Sequence, residues 1–256
     1  MRIKSSVISS VAAVVLGIIV GLPGRASAIP MGWTCTGACG TLGADGVVTA
    51  PPMGGFYEYV STQGGISGAG QLPGVGGTNG SLLETSVFSA SGSDSLVFNF
   101  NYVTRDGAGF TDYSWAQLVP TVGAPIVLFD ARTTPSGDTV PGFGLPPIAV
   151  TLVPPSTPII PGGVSWLPLD PNNSPCFAAG CGYTGWIQAS YTPVAGNYTI
   201  QFGVSNFNDE AWQSGLAISG TTIGGVPINS VPEPGTLGLL GAGLVGLAKK
   251  ARSRRV

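Results

Sequence analysis

Ser95-Leu-Val-Phe-Asn-Phe-Asn-Tyr-Val103 alternates apolar and polar side chains over 98–102. Leu96, Phe98, Phe100 and Tyr102 fall on one face, and Asn99 and Asn101 fall on the other. A repeat of two belongs to a β-strand, whose successive side chains point to opposite faces. Apolar against polar along that repeat predicts an antiparallel strand with one face buried and one in water. Asn197-Tyr-Thr-Ile-Gln-Phe-Gly-Val204 repeats the pattern, with Tyr198, Ile200, Phe202 and Val204 on the apolar face. Weaker strands are predicted at 47–50, 56–60, 113–119, 126–129, 186–192 and 216–218.

Working outward, the chain holds 41 glycines in 256 residues, and only 9% of it is charged. Short strands divided by turns suit that composition better than long helices, and no helical stripe occurs outside the two ends. The expectation is one all-β domain, a single antiparallel β-sandwich of jelly-roll type. Two stretches depart from the strand pattern. Residues 64–80 hold eight glycines in 17 residues and read as a flexible surface loop. Residues 133–175 hold 11 of the 22 prolines, and proline lacks the N–H that a central strand needs. This second stretch should be loop-rich, either a flap over the sandwich or a ligand-facing loop.

The N-terminus carries Arg2 and Lys4, then an apolar run over 7–22 broken by Ser9 and Ser10. Small residues Ala26 and Ala28 then sit three and one positions before a cut after Ala28, the order of a secretory signal peptide. Residues 29–230 are therefore the expected ectodomain of an exported protein. That stretch has two cations, Arg105 and Arg132, and eleven Asp and Glu, a formal charge of 2 − 11 = −9. Nucleic acid is bound by Lys and Arg that displace phosphate counterions, so it is excluded as a partner. Histidine is absent from the whole chain, which removes His-activated nucleophiles and His-based zinc sites. A pair of carboxylates, as in a glycoside hydrolase, remains open. The leading reading is non-catalytic.

Cys35, Cys39, Cys176 and Cys181 form two close pairs, and export favours disulfides. The two local bridges are the simplest pairing. Crossed pairing would close loops of roughly 140 residues and restrict the unfolded chain more. A zinc site of four thiolates is the alternative, but neither spacing is the usual C-x2-C. Asp106, Asp112, Asp209 and Glu210 flank the two best strands in turn-like sequence. They are a candidate calcium site, against the plainer reading that each caps its own turn. No other cofactor is expected. Among the aromatics of the later half, Trp186 and Trp212 are candidate platforms for sugar rings, against a place in the core.

The C-terminus ends in VPEPGTLGLLGAGLVGLAKKARSRRV. The segment 235–248 has no charge, and as a helix it would span ~21 Å against a hydrocarbon core of ~30 Å. Lys249, Lys250, Arg252, Arg254 and Arg255 follow it and would hold its end inside the cell. So marginal a helix suits a temporary hold better than a permanent anchor. The triplet Pro232-Glu233-Pro234, the apolar segment and the basic cluster over 249–256 together resemble the PEP-CTERM sorting signal. The resemblance covers residues 231–256. It implies recognition and removal by an exosortase, a membrane protease-transpeptidase of bacteria that make exopolysaccharide. The protein would then sit in the inner membrane transiently and end at the cell surface or outside the cell, with exopolysaccharide as a candidate partner.

The core is also similar to β-sandwich domains on anchored bacterial surface proteins. Gly32-Trp-Thr-Cys-Thr-Gly37, Asp45-Gly-Val-Val-Thr-Ala50 and residues 56–61 resemble their opening strand and hairpins. NFNYVTRDGAGFTDYSWAQL resembles their central strand pair, and Ser214-Gly-Leu-Ala-Ile-Ser-Gly220 their last strand, with Ser219 where an acid is frequent. The resemblance implies the sandwich fold and a surface location, with a carbohydrate-binding module or a glycoside hydrolase as alternatives to a structural or adhesive role.

Overall fold

A computed structural model describes residues 29–170 and 175–228. The signal peptide expected over 1–28, the triplet, the apolar segment and the basic cluster lie outside the described residues. In chain order the strands are β1 (Thr34–Thr36), β2 (Ala38–Leu42), β3 (Tyr57–Ser61), β4 (Ile66–Ser67), β5 (Asn79–Glu84), β6 (Phe88–Ala90), β7 (Leu96–Thr104) and β8 (Tyr113–Pro120). They continue as β9 (Ile126–Arg132), β10 (Thr151–Val153), β11 (Ile160–Pro161), β12 (Gly182–Tyr183), β13 (Ile187–Tyr191), β14 (Gly196–Ser205), β15 (Ser214–Ile223) and β16 (Val226–Pro227). No helix occurs among the described residues.

The strands build two antiparallel sheets packed face to face. One runs β1-β5-β14-β8-β9, with β4 added to β5 and β6 to β14. The other runs β10-β13-β7-β15-β3-β2, with β12 added to β7, β11 to β12 and β16 to β15. The two strands read first from sequence, β7 and β14, lie one in each sheet, and their apolar faces meet. Phe98 of β7 sets its ring against Phe202 of β14 at 5.4 Å and 83°, edge to face. Phe100 stacks on Phe129 of β9 at 3.7 Å. Leu216 and Ile218 of β15 and Ala116 and Leu118 of β8 complete this buried cluster.

The other face of β7 corrects the sequence reading. Asn99 and Asn101 were expected in water, yet both are buried, at 5% and 1% exposure. A third layer covers them. Val164, Trp166 and Leu169 of the proline-rich stretch pack with Leu42, Tyr57, Val103 and Ala217 on the outer face of the larger sheet. The stretch therefore includes a flap over the sheet, held partly by a hydrogen bond from Trp166 Nε1–H to Tyr57 Oη at 2.9 Å. The glycine-rich stretch does the same for the smaller sheet, so it is more than a surface loop. Its Leu72 is buried with Tyr113 and Trp115, and Trp115 Nε1–H donates to Gly70 O at 2.7 Å. Residues 47–50 form no strand. Val48 instead makes an isolated bridge to Asp45 and is buried under the flap.

Strand direction fixes two ends of the sandwich. Thr104 pairs with Ser214 at one end, where β7 leads into β8 and β14 leads into β15. Leu96 pairs with Ile223 at the other, next to the turn into β16. The first end carries the candidate site. The second carries the exit of the chain towards residue 229.

Candidate functional site

At the Thr104 end, β7 runs straight into Arg105 and Asp106. Arg105 is buried because its guanidinium is consumed as a clamp. Its Nε–H and Nη2–H donate to Val164 O at 3.2 and 3.1 Å, and Nη2–H also donates to Asp170 O at 3.2 Å. These bonds tie the flap to the end of the sheet. Burial lowers the Arg105 pKa, and the Asp170 charge opposes that shift. Next to this clamp, Phe177 N–H donates to Arg105 O and Ala108 N–H to Ala179 O, at 3.0 and 2.9 Å. The loop bridged by Cys176 and Cys181 is thereby laid on the β7–β8 loop.

That arrangement sets Phe177 between two other rings. Phe110 meets it edge-on at 5.5 Å, and Trp212 meets it at 5.4 Å and 41°. Trp212 has φ +55°, and Asn208 in the same β14–β15 loop has φ +74°, a region that side chains other than glycine seldom adopt. Beside Trp212 opens a cleft of about 250 Å³ lined by Gln63, Arg105, Leu169, Asp170, Ala211 and Gln213. Gln213 is fixed by its own bonds, receiving from Thr62 Oγ1 at 2.6 Å and donating to Glu210 O at 2.8 Å. An aromatic wall and planar polar groups already held in place can bind a flat, hydroxyl-rich ligand.

The four candidate acids do not come together as a metal cage. No group of three or more His, Cys, Asp or Glu residues able to hold a metal ion occurs among the described residues. Asp112 is sealed inside, where its Oδ2 accepts from Ser214 Oγ at 2.6 Å and its Oδ1 from Phe207 N–H at 3.0 Å. Burial drives its pKa well up, the Ser214 bond opposes this, and Asp106 adds to it. Asp106 is also buried, with Oδ1 accepting from Gly107 N–H at 2.7 Å and Oδ2 unpartnered. Burial pushes its carboxyl up to about 7, against the Gly107 bond and with a contribution from Asp209. Asp209 caps its own turn through Ala211 N–H at 2.8 Å, as the plainer reading had it.

The two candidate tryptophans part company. Trp212 lines the cleft, but Trp186 belongs to the flap side of the larger sheet. Its ring meets Tyr57 edge-on at 5.8 Å, and its Nε1–H donates to Thr49 O at 3.0 Å. Sequence reasoning passed over Arg105, Phe110 and Phe177. A signal for Arg105 existed, because an isolated arginine in a lysine-free domain is a candidate for a buried clamp. Arg132, the other cation, stands with its guanidinium 4.2 Å from the Phe207 ring centre and donates from Nε to Thr111 O at 3.0 Å. The cysteines pair locally, Cys35 with Cys39 and Cys176 with Cys181, at Cα separations of 6.1 and 5.7 Å.

Residues 230–255 match the family described as the PEP-CTERM protein-sorting motif. Such motifs mark exported proteins that an exosortase processes at the membrane before display at the surface or release. No curated protein matches the chain. Two solved structures from Porphyromonas gingivalis W83, the K1 and K3 cleaved adhesin domains of Lys-gingipain, are similar to it at 11% and 13% identity. The alignments cover 78% and 75% of this chain and 98% and 94% of those domains, with TM-scores of 0.35 and 0.33. Likeness at that level says nothing about ligand or activity.

Proposed function

We propose that this chain is a non-catalytic surface protein whose sandwich is displayed after its C-terminal segment is processed, and whose cleft at Trp212 takes a saccharide. One observation carries the ligand class. Trp212, held with its backbone in the left-handed region, walls a cleft whose other sides are lined by Gln63, Asp170 and Gln213, with the Arg105 clamp fixing its base. Sugar rings present apolar C–H faces to an aromatic plane and hydroxyls to planar hydrogen-bonding groups, so both halves of the cleft have a counterpart in them. An extracellular polysaccharide is the natural source of such rings for a protein exported by this route. The rival reading, a hydrolase working through two carboxylates, has less support. Its best acids, Asp106 and Asp112, are turned inside the protein.

A glycan array probed with the mature domain and with Trp212→Ala tests the reading. Binding by the parent that falls at least tenfold in the variant, with an unchanged thermal midpoint, is the expected result. An array on which the folded parent binds nothing would remove the saccharide from the proposal. Release of reducing ends from a bound glycan would show the protein to be a hydrolase.

A further inference from the structure

The last described residues hold the chain close to the Leu96 end of the sandwich. β16 pairs with β15 through Thr222 with Pro227 and Ile223 with Val226, and Ile228 N–H donates to Thr221 O at 3.0 Å. Ile228 is itself buried, so the fold keeps its grip up to that residue. Four residue steps then separate it from Pro232, the start of the triplet. Even fully extended, four steps reach at most ~14 Å. Thr221 lies seven positions along β15 from Ser214, which is roughly 23 Å at ~3.3 Å per residue. The triplet therefore cannot reach the cleft end. Any enzyme that acts on it must work against the end from which the chain leaves.

That surround has an unusual surface. Met53, Val194 and Val226 are 76%, 74% and 64% exposed. Met53 packs beside Gly220, one residue before the Thr221 that holds Ile228. Gly224 lies against the Asp94 side chain, and Gly92 against Ala195, so the turns carrying Val226 and Val194 adjoin the same end. Residues 50–56, 191–196 and 223–228 contain no charged side chain, and Asp94 is the single charge among the turns between them. Tyr191 and Tyr198 adjoin Val194, the latter donating from Oη to Val194 O at 2.8 Å, but no Lys or Arg among the described residues joins these three apolar tips, so anionic headgroups find no counter-charge there. A lone acid in an apolar field fits a protein face better.

We infer that the apolar surround of the exit, with Met53, Val194 and Val226 at its centre, is the surface on which the membrane-embedded sorting protease rests while it acts on the triplet. This rests on the reading of residues 230–255 as a sorting signal. The domain then contributes to its own processing, and recognition extends beyond the triplet onto the folded sandwich.

The test is a pulse-chase in the native host on the full-length chain, following loss of the uncut form. Met53→Glu, Val194→Glu and Val226→Glu together should slow processing at least fivefold, while export and the thermal midpoint of the domain stay as in the parent. A second pair of chains carries a ten-residue Gly/Ser spacer after Ile228, which frees the triplet from the domain. There the same three changes should have no effect. Equal processing rates without the spacer would overturn the inference, as would slowing that persists with it. Cosedimentation of the parent domain with phosphatidylglycerol/phosphatidylethanolamine vesicles, lost in the triple variant, would assign the surface to lipid and overturn it too. So would a dimer in sedimentation velocity that the triple variant abolishes. Pro232, Glu233 and Pro234 changed to alanine serve as the control. If that chain is still processed, the sorting reading has failed, whatever the valines and the methionine do.

Discussion

The indole of Trp166 lies on the bare Cα of Gly215: a Cβ at that glycine would stand 2.5 Å from Trp166 Cζ3 and 3.0 Å from Val60 O. The other sheet has the same device, since a Cβ on Gly203 of β14 would stand 2.3 Å from Trp115 Cε2. Each outer face is thus covered by a tryptophan that a strand glycine admits. Both indoles then place their N–H on a fixed acceptor, Tyr57 Oη for Trp166 and Gly70 O for Trp115.

Gly215→Ala should therefore cost about 1–3 kcal/mol, the usual range for overpacking a filled site. The loss should appear in the urea midpoint together with a shift in tryptophan emission. Gly163→Ala, where an added Cβ meets nothing within 4 Å, is the control and should leave both unchanged. Equal midpoints for parent and Gly215→Ala would show that the flap does not sit as described.

Phe100→Ala removes a ring that stacks on Phe129 in the shared core, and it should cost ~3–5 kcal/mol. Asn99→Ala, on the opposite and also buried face, should cost far less. Its side chain removes far less apolar area than Phe100. The urea midpoints of the two variants should differ by most of the Phe100 effect.

Stability should rise as the solution becomes mildly acidic. Burial pushes Asp106 and Asp130 up to about 7 and Asp112 well up, whereas the unfolded chain releases those protons near pH 4. Between these values the folded state binds more protons than the unfolded one, so stability falls as pH rises from about 4 to about 7 and levels off above the folded pKa values. Thermal midpoints across pH 4–8 measure this. Asp130→Asn keeps an oxygen for Gly142 N–H, bonded at 2.6 Å to Asp130 Oδ1, and should flatten part of the slope. A midpoint that climbs steadily from pH 4 to 7 would contradict the burial of these carboxyls.

Non-reducing peptide mapping should find Cys35 linked to Cys39 and Cys176 linked to Cys181, with no cysteine open to alkylation before reduction. Both loops are short, so reduction should leave the sandwich folded while changing the emission of Trp212, which packs on Phe177 inside the second loop's span. A peptide joining the first pair to the second would refute the pairing.

Replacing Pro232, Glu233 and Pro234 by alanine should leave export intact and trap an uncut, membrane-bound form. The outcome follows if the triplet is read by an enzyme and is not merely a neighbour of the apolar segment. Deleting residues 249–256 should instead release unprocessed protein. Fractionation and mass of both chains in the native host distinguish these outcomes.

Where one face of a strand met the core and the residues between were polar, the sequence was readable. β3, β7, β8, β13 and β14 came out within one residue at each end and β9 within three, whereas β15, read as 216–218, runs over Ser214–Ile223. β2 and β5 did not, because small residues interrupt their apolar alternation, Gly40 in β2 and Gly80 and Ser81 in β5. Trp212 stood out as a tryptophan two residues after the acid pair Asp209-Glu210, and it does line the cleft. Trp186 looked equivalent in the sequence and is not, since nothing local to it shows that Tyr57 and Thr49 will be its partners.

The β class, the sorting motif at the C-terminal end and the absence of histidine chemistry were legible in the sequence alone. Each of these follows from composition or from a short pattern that physics reads locally: a period of two, an apolar run beside charges, a missing side chain. Tertiary structure alone decided that the outer sheet faces are covered, that two buried aspartates serve the fold, and that Arg105 and Trp212 line one cleft at one end while the chain leaves near the other. Those facts depend on contacts between segments far apart in the chain, such as Thr62 with Gln213 and Ser214, 151 and 152 positions away. They are set by which strands pair and in what register, and no local pattern carries that information.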